Sequence, residues 1–476
     1  MPLPKPKSNF FNNSFFIFIA RFFPSMANLA VVIWYSRQLS PELYGSYQHF
    51  WIQLNVIAPL ACFGIHVLVI TYSPGLVRGI LGRIRPIHFA LYGIWVITLS
   101  TVFSLLQDQS LGISFLVPFL FLFCFSVSVI LESLLIVYRN YTSLIAINTI
   151  YSIAYWLVHF CLLRQGFSLQ ALFTWLLVIM AARLCFFAGF VIPKLRQKDE
   201  HTGYVDIART KNLWLHLGLY DVLQILFSWI DKFIISLVMT ASVSAIYFNG
   251  SQNIPVLPLL LSAAGSAVLM QLAVGNKDDE QGSIIQLMNQ SGRVLSCIVF
   301  PVFFYLFIFR DTLIVTLLSD KYITAVPVFA ISILVLPVKA YSFTTVLQRM
   351  HKGAIINAGA VIDLLLACVL MYPLYLLFGL PGVALSFVIT TYLQAAFYLV
   401  YSARLLEVSP LELIPSGNWI WKLIVFSSLF IAIRYVGDHF FTGKISLILG
   451  GVMMMAAIVV SLLLEFDKNK ENGGIA

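Results

Sequence analysis

The sequence predicts an all-α polytopic membrane protein that crosses the bilayer about fourteen times. Three observations predict this fold class. The 476 residues are 60% hydrophobic and only 10% charged, with a mean hydropathy of +0.92. Apolar runs long enough to span a bilayer follow one another along the chain, separated by short gaps that hold charged residues or Gly and Pro. No polar stretch between them is long enough to fold as a separate soluble domain.

The apolar runs predict fourteen helices, numbered here as spans 1 to 14. Helices are expected because a lipid-facing backbone must satisfy its own hydrogen bonds, and the runs are too long and too uniformly apolar for barrel strands. The predicted spans are residues 13–36, 45–71, 87–106, 113–137, 143–163, 169–192, 213–239, 245–273, 291–310, 325–349, 355–377, 383–403, 419–436 and 445–464. Span 1 lacks a small-residue cleavage site, so it is expected to be an uncleaved helix and not a signal peptide.

The distribution of basic residues predicts that both termini are cytoplasmic. With that orientation, nineteen Lys and Arg residues fall in cytoplasmic segments and five in segments on the other side. The net charge of +9 therefore reflects membrane topology, and no nucleic-acid partner is expected.

The longest hydrophilic gap divides the chain into six spans before it and eight after it. Residues 193–212 are predicted to be a cytoplasmic linker. Residues 1–192 would form an N-terminal six-helix bundle and residues 213–403 a C-terminal six-helix bundle. Residues 404–476 would add two helices and a cytoplasmic tail.

Two similar segments indicate that the bundles are a parallel repeat. "VIWYSRQLSPELYGSYQHF" (Val31–Phe50) and "IISLVMTASVSAIYFNGSQ" (Ile234–Gln252) each run from an apolar helix through a short turn to a tyrosine. Tyr44 and Tyr247 occupy corresponding places. Repeated six-helix bundles are a known transporter construction, with the substrate site between the bundles.

Span 7 carries a polar face through an apolar helix. Asp221, Gln224, Ser228 and Asp231 follow one another at spacings of three, four and three residues, so they share one side, and Lys232 borders it. Such a face predicts a helix that lines a cavity or packs against another polar helix.

Other spans also carry polar groups at membrane depth, where each costs several kcal/mol unless it faces protein or water. Arg21 and Asn28 lie in span 1, Lys339 in span 10, and Glu132 and Asp363 are candidate counter-ions or cation ligands. The alternative is that these groups form interhelical hydrogen bonds and ion pairs that hold the protein together. The histidines, His66, His159 and His216, are expected to be hydrogen-bonded core residues and not proton relays.

The absence of several enzyme motifs narrows the classes of function that the sequence supports. The sequence has no phosphate-binding GxxxxGK[ST] loop, no HExxH and no GxSxG, so neither ATP hydrolysis nor these hydrolase chemistries are expected. The six cysteines lack CxxC spacing, which predicts neither a metal site nor a disulfide framework. Transport without a resident cofactor is therefore favoured over catalysis.

Four short motifs, in this order and spacing, resemble those of bacterial polysaccharide flippases. They are "LSPELYG" (Leu39–Gly45), "DKFIIS…SVSAIY" (Asp231–Tyr247), "LLSDKYITAVPVF" (Leu317–Phe329) and "FGLPGVALS" (Phe378–Ser386). The chain resembles the Wzx-like repeat-unit flippases of the multidrug/oligosaccharidyl-lipid/polysaccharide (MOP) exporter superfamily over its full length. Fourteen spans is high for Wzx-like members, which often have twelve, and resembles the lipid II flippase branch.

The resemblance implies a secondary transporter in the bacterial inner membrane. Its substrate would be an undecaprenyl-pyrophosphate-linked glycan repeat unit, moved from the cytoplasmic to the periplasmic leaflet for O-antigen, capsule or exopolysaccharide synthesis. Alternating access driven by H⁺ or Na⁺ would move it. Implied partners are membrane lipid, a polysaccharide polymerase and a chain-length regulator.

The same resemblance gives the polar residues two roles. Arginine binds pyrophosphate through paired donors and lysine as a point charge. The candidate residues for the pyrophosphate and sugar are Arg21, Lys339, Lys232, Arg183, Asn28 and Gln224. The candidates for ion coupling are Asp231, Asp221, Glu132 and Asp363.

Three alternatives remain open from the sequence. A lipid II flippase or a drug or metabolite exporter of the same superfamily would share the architecture. A drug exporter should carry mainly acidic groups in its cavity, whereas the deepest charges here are basic. A polysaccharide polymerase or an assembly scaffold is the alternative from a different class.

Overall fold

The computed structural model describes residues 9–107, 112–164, 166, 168–196, 207–251, 280–350 and 352–471. The described residues form nineteen α-helices and three short 3₁₀ helices. The α-helices are α1 (Asn9–Gln38), α2 (Pro41–Cys62), α3 (Ile65–Ile70), α4 (Pro74–Arg83), α5 (Pro86–Leu106), α6 (Leu116–Val137), α7 (Tyr141–Arg164), α8 (Leu169–Arg196), α9 (Ile207–Val238), α10 (Ala241–Gly250), α11 (Glu280–Ile308), α12 (Arg310–Leu318), α13 (Val326–Ser332), α14 (Thr345–Arg349), α15 (Gly353–Phe378), α16 (Leu380–Leu405), α17 (Pro410–Leu413), α18 (Ser416–Phe440) and α19 (Gly443–Glu471).

The fold confirms the prediction of an all-α multi-pass membrane protein. Among the described residues, eleven helical segments are long and apolar enough to cross a membrane. They correspond to predicted spans 1, 3 to 6 and 9 to 14. Large apolar side chains stay exposed along them, as expected of surfaces in lipid: Val369 on α15 is 68% exposed and Leu464 on α19 is 60% exposed.

The three other predicted spans differ in how they are built. Span 7 is the 32-residue helix α9, and span 2 begins as the 22-residue helix α2. Span 8 begins in α10, but most of it falls in 252–279, outside the described residues. At the edges of the predicted linker 193–212, α8 continues to Arg196 and α9 starts at Ile207. Residues 197–206 lie outside the described residues, and the linker stays a prediction.

Span 2 is not one continuous helix, so that prediction was wrong. Helix α2 ends at Cys62, and both Phe63 (φ 37°) and Gly64 (φ 67°) adopt left-handed backbone conformations before α3 begins. The N–H of Phe63 donates to the carbonyl of Pro59, which closes the last turn of α2. Glycine accepts this conformation without steric cost, so the break is set locally by Gly64.

Span 10 is also broken where one helix was predicted. Helix α13 ends at Ser332 and is followed by 3₁₀ turns at Ile333–Val335 and Pro337–Ala340, then by extended backbone at Tyr341. Pro337 has no N–H to donate and its ring crowds the preceding turn, so a regular α-helix cannot pass through it undisturbed. The broken backbone carries Lys339.

The contacts divide the chain into two units, Met1–Ala245 and Ile246–Ala476. The predicted bundles of residues 1–192 and 213–403 are a different division, and they stay a prediction. The N-terminal unit packs α1 on α7, α6 on α8, α2 on α9, and α3 on both α6 and α9.

Aromatic side chains fill the middle of the N-terminal unit. Phe50 and Phe173 stack with ring centroids 3.9 Å apart, and Phe103 and Phe121 each meet Phe50 edge-on at 5.2 Å. All four side chains are fully buried. Edge-on and stacked pairs of this kind add stability beyond the area they bury, so α2, α5, α6 and α8 are held at one point.

The C-terminal unit is organised by two sets of helices. Helices α15 and α16 form a hairpin at Gly379 (φ 64°), and the Tyr398 hydroxyl donates to the Ile356 carbonyl across it at 2.7 Å. Helices α11, α18 and α19 pack against one another in the second set. Helix α13 packs on α16.

Candidate functional site

The break between α2 and α3 rests against one face of α9. Trp214, Gly218 and Asp221 are spaced by four and three residues, so they lie on that face. The Trp214 indole N–H donates to the Phe63 carbonyl at 2.8 Å. A Cβ on Gly218 would lie 2.7 Å from the same carbonyl oxygen, so only glycine allows this approach. The contact fixes α3 beside the Asp221 turn of α9.

His66 on α3 faces Asp221 on α9. The His66 Nε2 lies 3.7 Å from Asp221 Oδ2, and the two side chains are 21% and 16% exposed. His66 Nδ1 and Asp221 Oδ2 are both buried, and neither hydrogen-bonds to any residue that the structure describes. The prediction of a hydrogen-bonded core histidine was therefore wrong for His66.

Arg183 on α8 is held by an acid and an amide. Its Nη2 donates to Glu132 Oε2 at 2.8 Å and to Asn148 Oδ1 at 2.9 Å, and its Nε donates to Asn148 at 3.2 Å. The guanidinium also lies over the rings of Tyr151 and Phe187, at 4.8 and 4.9 Å from their centroids. The positive charge of Arg183 is thus neutralised by Glu132, and its orientation is fixed.

Arg21 on α1 is an exposed arginine beside this ion pair. The Asn148 amide donates to the carbonyl of Ala20 at 3.1 Å, which ties α1 to the helices that hold Arg183. The Arg21 guanidinium makes no hydrogen bond or ion pair with the described residues. Arg21 and Glu132 both lie within electrostatic range of His66.

Five charged or titratable residues from five helices therefore share one region, which we call the N-unit charge cluster. Its members are Arg21 (α1), His66 (α3), Glu132 (α6), Arg183 (α8) and Asp221 (α9). With His66 neutral, two positive and two negative charges balance. Arg21 is the cation of the cluster that has no acidic partner among the described residues, which leaves its donors available to an anion.

Two further predicted substrate residues lie outside the cluster. The Asn28 side-chain oxygen accepts a hydrogen bond from the Tyr155 hydroxyl at 3.4 Å. Gln224 is exposed, and its amide donates to the Tyr220 hydroxyl at 3.1 Å. Each of these side chains is therefore hydrogen-bonded to a tyrosine hydroxyl.

Asp231 and Lys232 neutralise each other. Both residues are 6% exposed, and the Lys232 Nζ lies 3.2 Å from each carboxylate oxygen of Asp231. The same ammonium lies 3.4 Å from the Ser228 carbonyl and 5.8 Å from the Trp229 ring centroid. In this structure neither charge is available to a ligand.

The C-terminal unit holds the two remaining candidates, Lys339 and Asp363. The half-buried Lys339 ammonium has no hydrogen-bond or ion-pair partner in the described ranges. Asp363 on α15 is 3% exposed, neither carboxylate oxygen has a hydrogen-bond partner among the described residues, and Thr390 on α16 is a polar neighbour. Within those residues, no set of three or more His, Cys, Asp or Glu side chains could hold a metal ion.

Sequence reasoning missed a buried ion pair in the C-terminal unit. Lys422 on α18 lies 3.2 Å from Glu465 on α19, and their side chains are 9% and 5% exposed. Lys422 also donates to the Arg293 carbonyl at 2.7 Å and to the Ser296 hydroxyl at 3.0 Å. A glutamate near the end of an apolar helix was the available signal, but its partner could not be identified from spacing.

The sequence predicted only part of a second hydrogen-bond network, which surrounds His159 on α7. The Tyr47 hydroxyl lies 3.1 Å from His159 Nε2 and 3.0 Å from the Tyr155 hydroxyl, and His159 Nδ1 lies 2.7 Å from the Tyr155 carbonyl. Tyr35 donates to the His159 carbonyl at 3.1 Å. His159 is thus the hydrogen-bonded core residue that was expected, whereas His216 is exposed on α9.

Comparison with known families identifies the chain. A family model described as "Polysaccharide biosynthesis protein" matches residues 35–327, more than half of the sequence. The chain belongs to this polysaccharide biosynthesis family. The matched range includes His66, Glu132, Arg183 and Asp221 but not Arg21. No curated protein matches the sequence.

A solved structure shows the same fold. The structure of "Lipid II flippase MurJ, inward closed conformation" has a TM-score of 0.66 and 15% identity, and the similarity covers 95% of this chain and 98% of that one. An outward-facing multidrug resistance MATE family transporter of the MOP superfamily has 13% identity and a TM-score of 0.31, with 96% and 94% covered, which is too low to support an argument. Family and fold together confirm the resemblance to the polysaccharide flippases.

Proposed function

We propose that this protein flips undecaprenyl-pyrophosphate-linked oligosaccharide repeat units from the cytoplasmic to the periplasmic leaflet of the bacterial inner membrane. It does so by alternating access, as a step in surface polysaccharide synthesis. Membership of the polysaccharide biosynthesis family supports the pathway, and the fold shared with a lipid II flippase supports the type of movement. The polyprenyl tail stays in lipid while the protein shields the pyrophosphate and sugars.

The proposal rests mainly on the environment of Arg21. Arg21 lies in a helix long and apolar enough to cross the membrane, yet its guanidinium has no partner among the described residues. An arginine inside the hydrocarbon costs about 3 kcal/mol at the centre of a transmembrane helix unless it faces water or an anion. A pyrophosphate accepts paired hydrogen bonds from a guanidinium, so binding it would repay that cost.

The other candidate residues would support this function in different ways. Arg183, fixed by Glu132 and Asn148, would add positive potential without moving. In the C-terminal unit, Lys339 lies on the broken backbone of 337–340 and is a separate candidate cation. Broken helices expose backbone and side chains to ligands in many transporters. Asp363 and Asp221 would couple transport to H⁺ or Na⁺.

The test uses cells that lack the gene and carry a plasmid copy of it. We expect the wild-type chain to restore surface polysaccharide, and Arg21→Ala to accumulate in the membrane without restoring it. Arg21→Lys should restore part of it, because lysine keeps the charge but loses the paired donors. Arg37→Ala, at the exposed end of the same helix, is the matched control and should restore it fully.

The position of the lipid-linked intermediate separates this function from its alternatives. In the deletion strain, the repeat unit should accumulate on the cytoplasmic leaflet. Normal flipping with altered chain length would instead indicate a polymerase or a scaffold. Loss of peptidoglycan precursor export would indicate a lipid II substrate, and full complementation by Arg21→Ala would exclude the role proposed for Arg21.

A further inference from the structure

We infer that His66 and Asp221 form a proton-binding site that is linked to anion binding at Arg21. The inference rests on the proposed function, because it assigns the coupling ion and its position in the same cluster. A proton held between these side chains would change the net charge of the N-unit charge cluster from zero to +1. The cluster would then bind a multiply charged pyrophosphate more tightly.

The geometry of the pair favours one protonation route. With its N–H on Nε2, His66 points that donor toward Asp221 Oδ2 at 3.7 Å and leaves Nδ1 as a bare nitrogen. Nδ1 is buried and has no hydrogen-bond partner among the described residues. It is therefore the position that accepts the second proton, and Asp221 carries the charge that stabilises the resulting imidazolium.

The neighbouring charges are arranged so that His66 responds to what Arg21 binds. Helix α3 packs on α6 and α9, which contribute Glu132 and Asp221, and α1 contributes Arg21. Glu132 is already paired with Arg183, so Arg21 is the main charge opposing a proton on His66. An anion on Arg21 offsets that opposition, and anion binding therefore draws a proton onto His66.

The broken backbone of the α2–α3 segment explains how His66 reaches this position. The left-handed residues Phe63 and Gly64 redirect the chain just before α3. Trp214 and Gly218 of α9 then hold the turn through the Phe63 carbonyl. The break and its α9 contact thus place the imidazole opposite Asp221, one turn further along the same face of α9.

Thermodynamic linkage between proton binding and anion binding determines the direction of the pH dependence. If anion binding promotes protonation, protonation must promote anion binding by the same factor. The affinity for a pyrophosphate should rise as the pH falls from 8 to 6, by a factor on the order of ten. Removing His66 should abolish this part of the pH dependence and leave the affinity at its high-pH value.

Proton uptake measured together with binding tests the inference. The probe is farnesyl pyrophosphate, titrated calorimetrically into the full-length protein in detergent, in two buffers of equal pH and different ionisation enthalpy. Near neutral pH, we expect each anion that binds to the wild-type chain to be accompanied by the uptake of about one proton at most. His66→Gln should bind without uptake. His216→Gln, an exposed histidine on the same helix as Asp221, should behave as wild type.

Each result supports or overturns a distinct statement. Wild-type binding without proton uptake, or uptake retained in His66→Gln, would overturn the inference and leave the proposed function standing. No binding by the wild type, or equal binding by Arg21→Ala, would overturn the proposed function and the inference with it. If His66→Gln fails to fold, Asp221→Asn replaces it: the pH at which binding strengthens should move lower, and an unchanged profile would overturn the inference.

Discussion

Replacing Lys422 with methionine should strongly destabilise the C-terminal unit. The ammonium of Lys422 lies 3.2 Å from Glu465 and donates to the Arg293 carbonyl and the Ser296 hydroxyl. Methionine keeps most of the volume but leaves a carboxylate that is only 5% exposed without its cation. One oxygen of that carboxylate, Oε1, already has no hydrogen-bond partner among the described residues.

The expected loss is about 3–5 kcal/mol, the usual cost of removing one partner from a buried ion pair. That corresponds to roughly a 100- to 4000-fold change in the ratio of folded to unfolded protein. The double variant Lys422→Met, Glu465→Leu should recover most of the stability, since both charges are gone.

Reversible unfolding in mixed detergent and SDS micelles gives the free energies of unfolding. Lys444→Met is the matched control, because Lys444 is exposed at the start of α19 and its loss should change the free energy of unfolding little. If Lys422→Met is as stable as this control at pH 7, the buried ion pair does not hold α18 and α19 to α11 in the way described.

Two other variants probe the N-terminal unit. Gly218→Ala should lower the free energy of unfolding by about 1–3 kcal/mol, because the new Cβ would overlap the backbone of Phe63. Gly189→Ala, which has open space around it, is the control and should be neutral or slightly stabilising. Equal unfolding free energies for the two variants would contradict the close approach of Gly218 to Phe63. Tyr47→Phe should cost about 1–3 kcal/mol by removing the partner of the buried His159 Nε2, and an unfolding free energy equal to wild type would show that this network is not formed.

Hydropathy located the membrane helices because the length and apolar content of a span are properties of one segment alone. Ten predicted spans reappear as single helices, most of them with ends shifted by a few residues. The two broken spans were missed because an apolar run has the same hydropathy whether or not its helix is continuous. Gly64 and Pro337 were the local signals, and each was outweighed by the hydrophobic run around it.

The candidate site was harder to predict, because it depends on which helices meet. The sequence identified Arg21 and Glu132 as charges at membrane depth and Arg183 as a candidate substrate residue. It could not show that Arg183 and Glu132, 51 residues apart, pair and leave Arg21 without a partner. Asp231 and Lys232 are adjacent in sequence, yet their pairing was not predicted either. Adjacent residues on a helix normally point in different directions, but here the long lysine side chain folds back onto the aspartate.

Transbilayer movement of a pyrophosphate-linked glycolipid in vesicles tests the central claim most directly. Purified protein is reconstituted into liposomes with an undecaprenyl-pyrophosphate-linked oligosaccharide, and the fraction accessible from outside is followed with time. We expect the wild-type chain and Arg37→Ala to accelerate movement across the bilayer, and Arg21→Ala to leave it at the rate of protein-free vesicles. Equal rates for wild type and Arg21→Ala, or no acceleration by the wild type, would contradict the account.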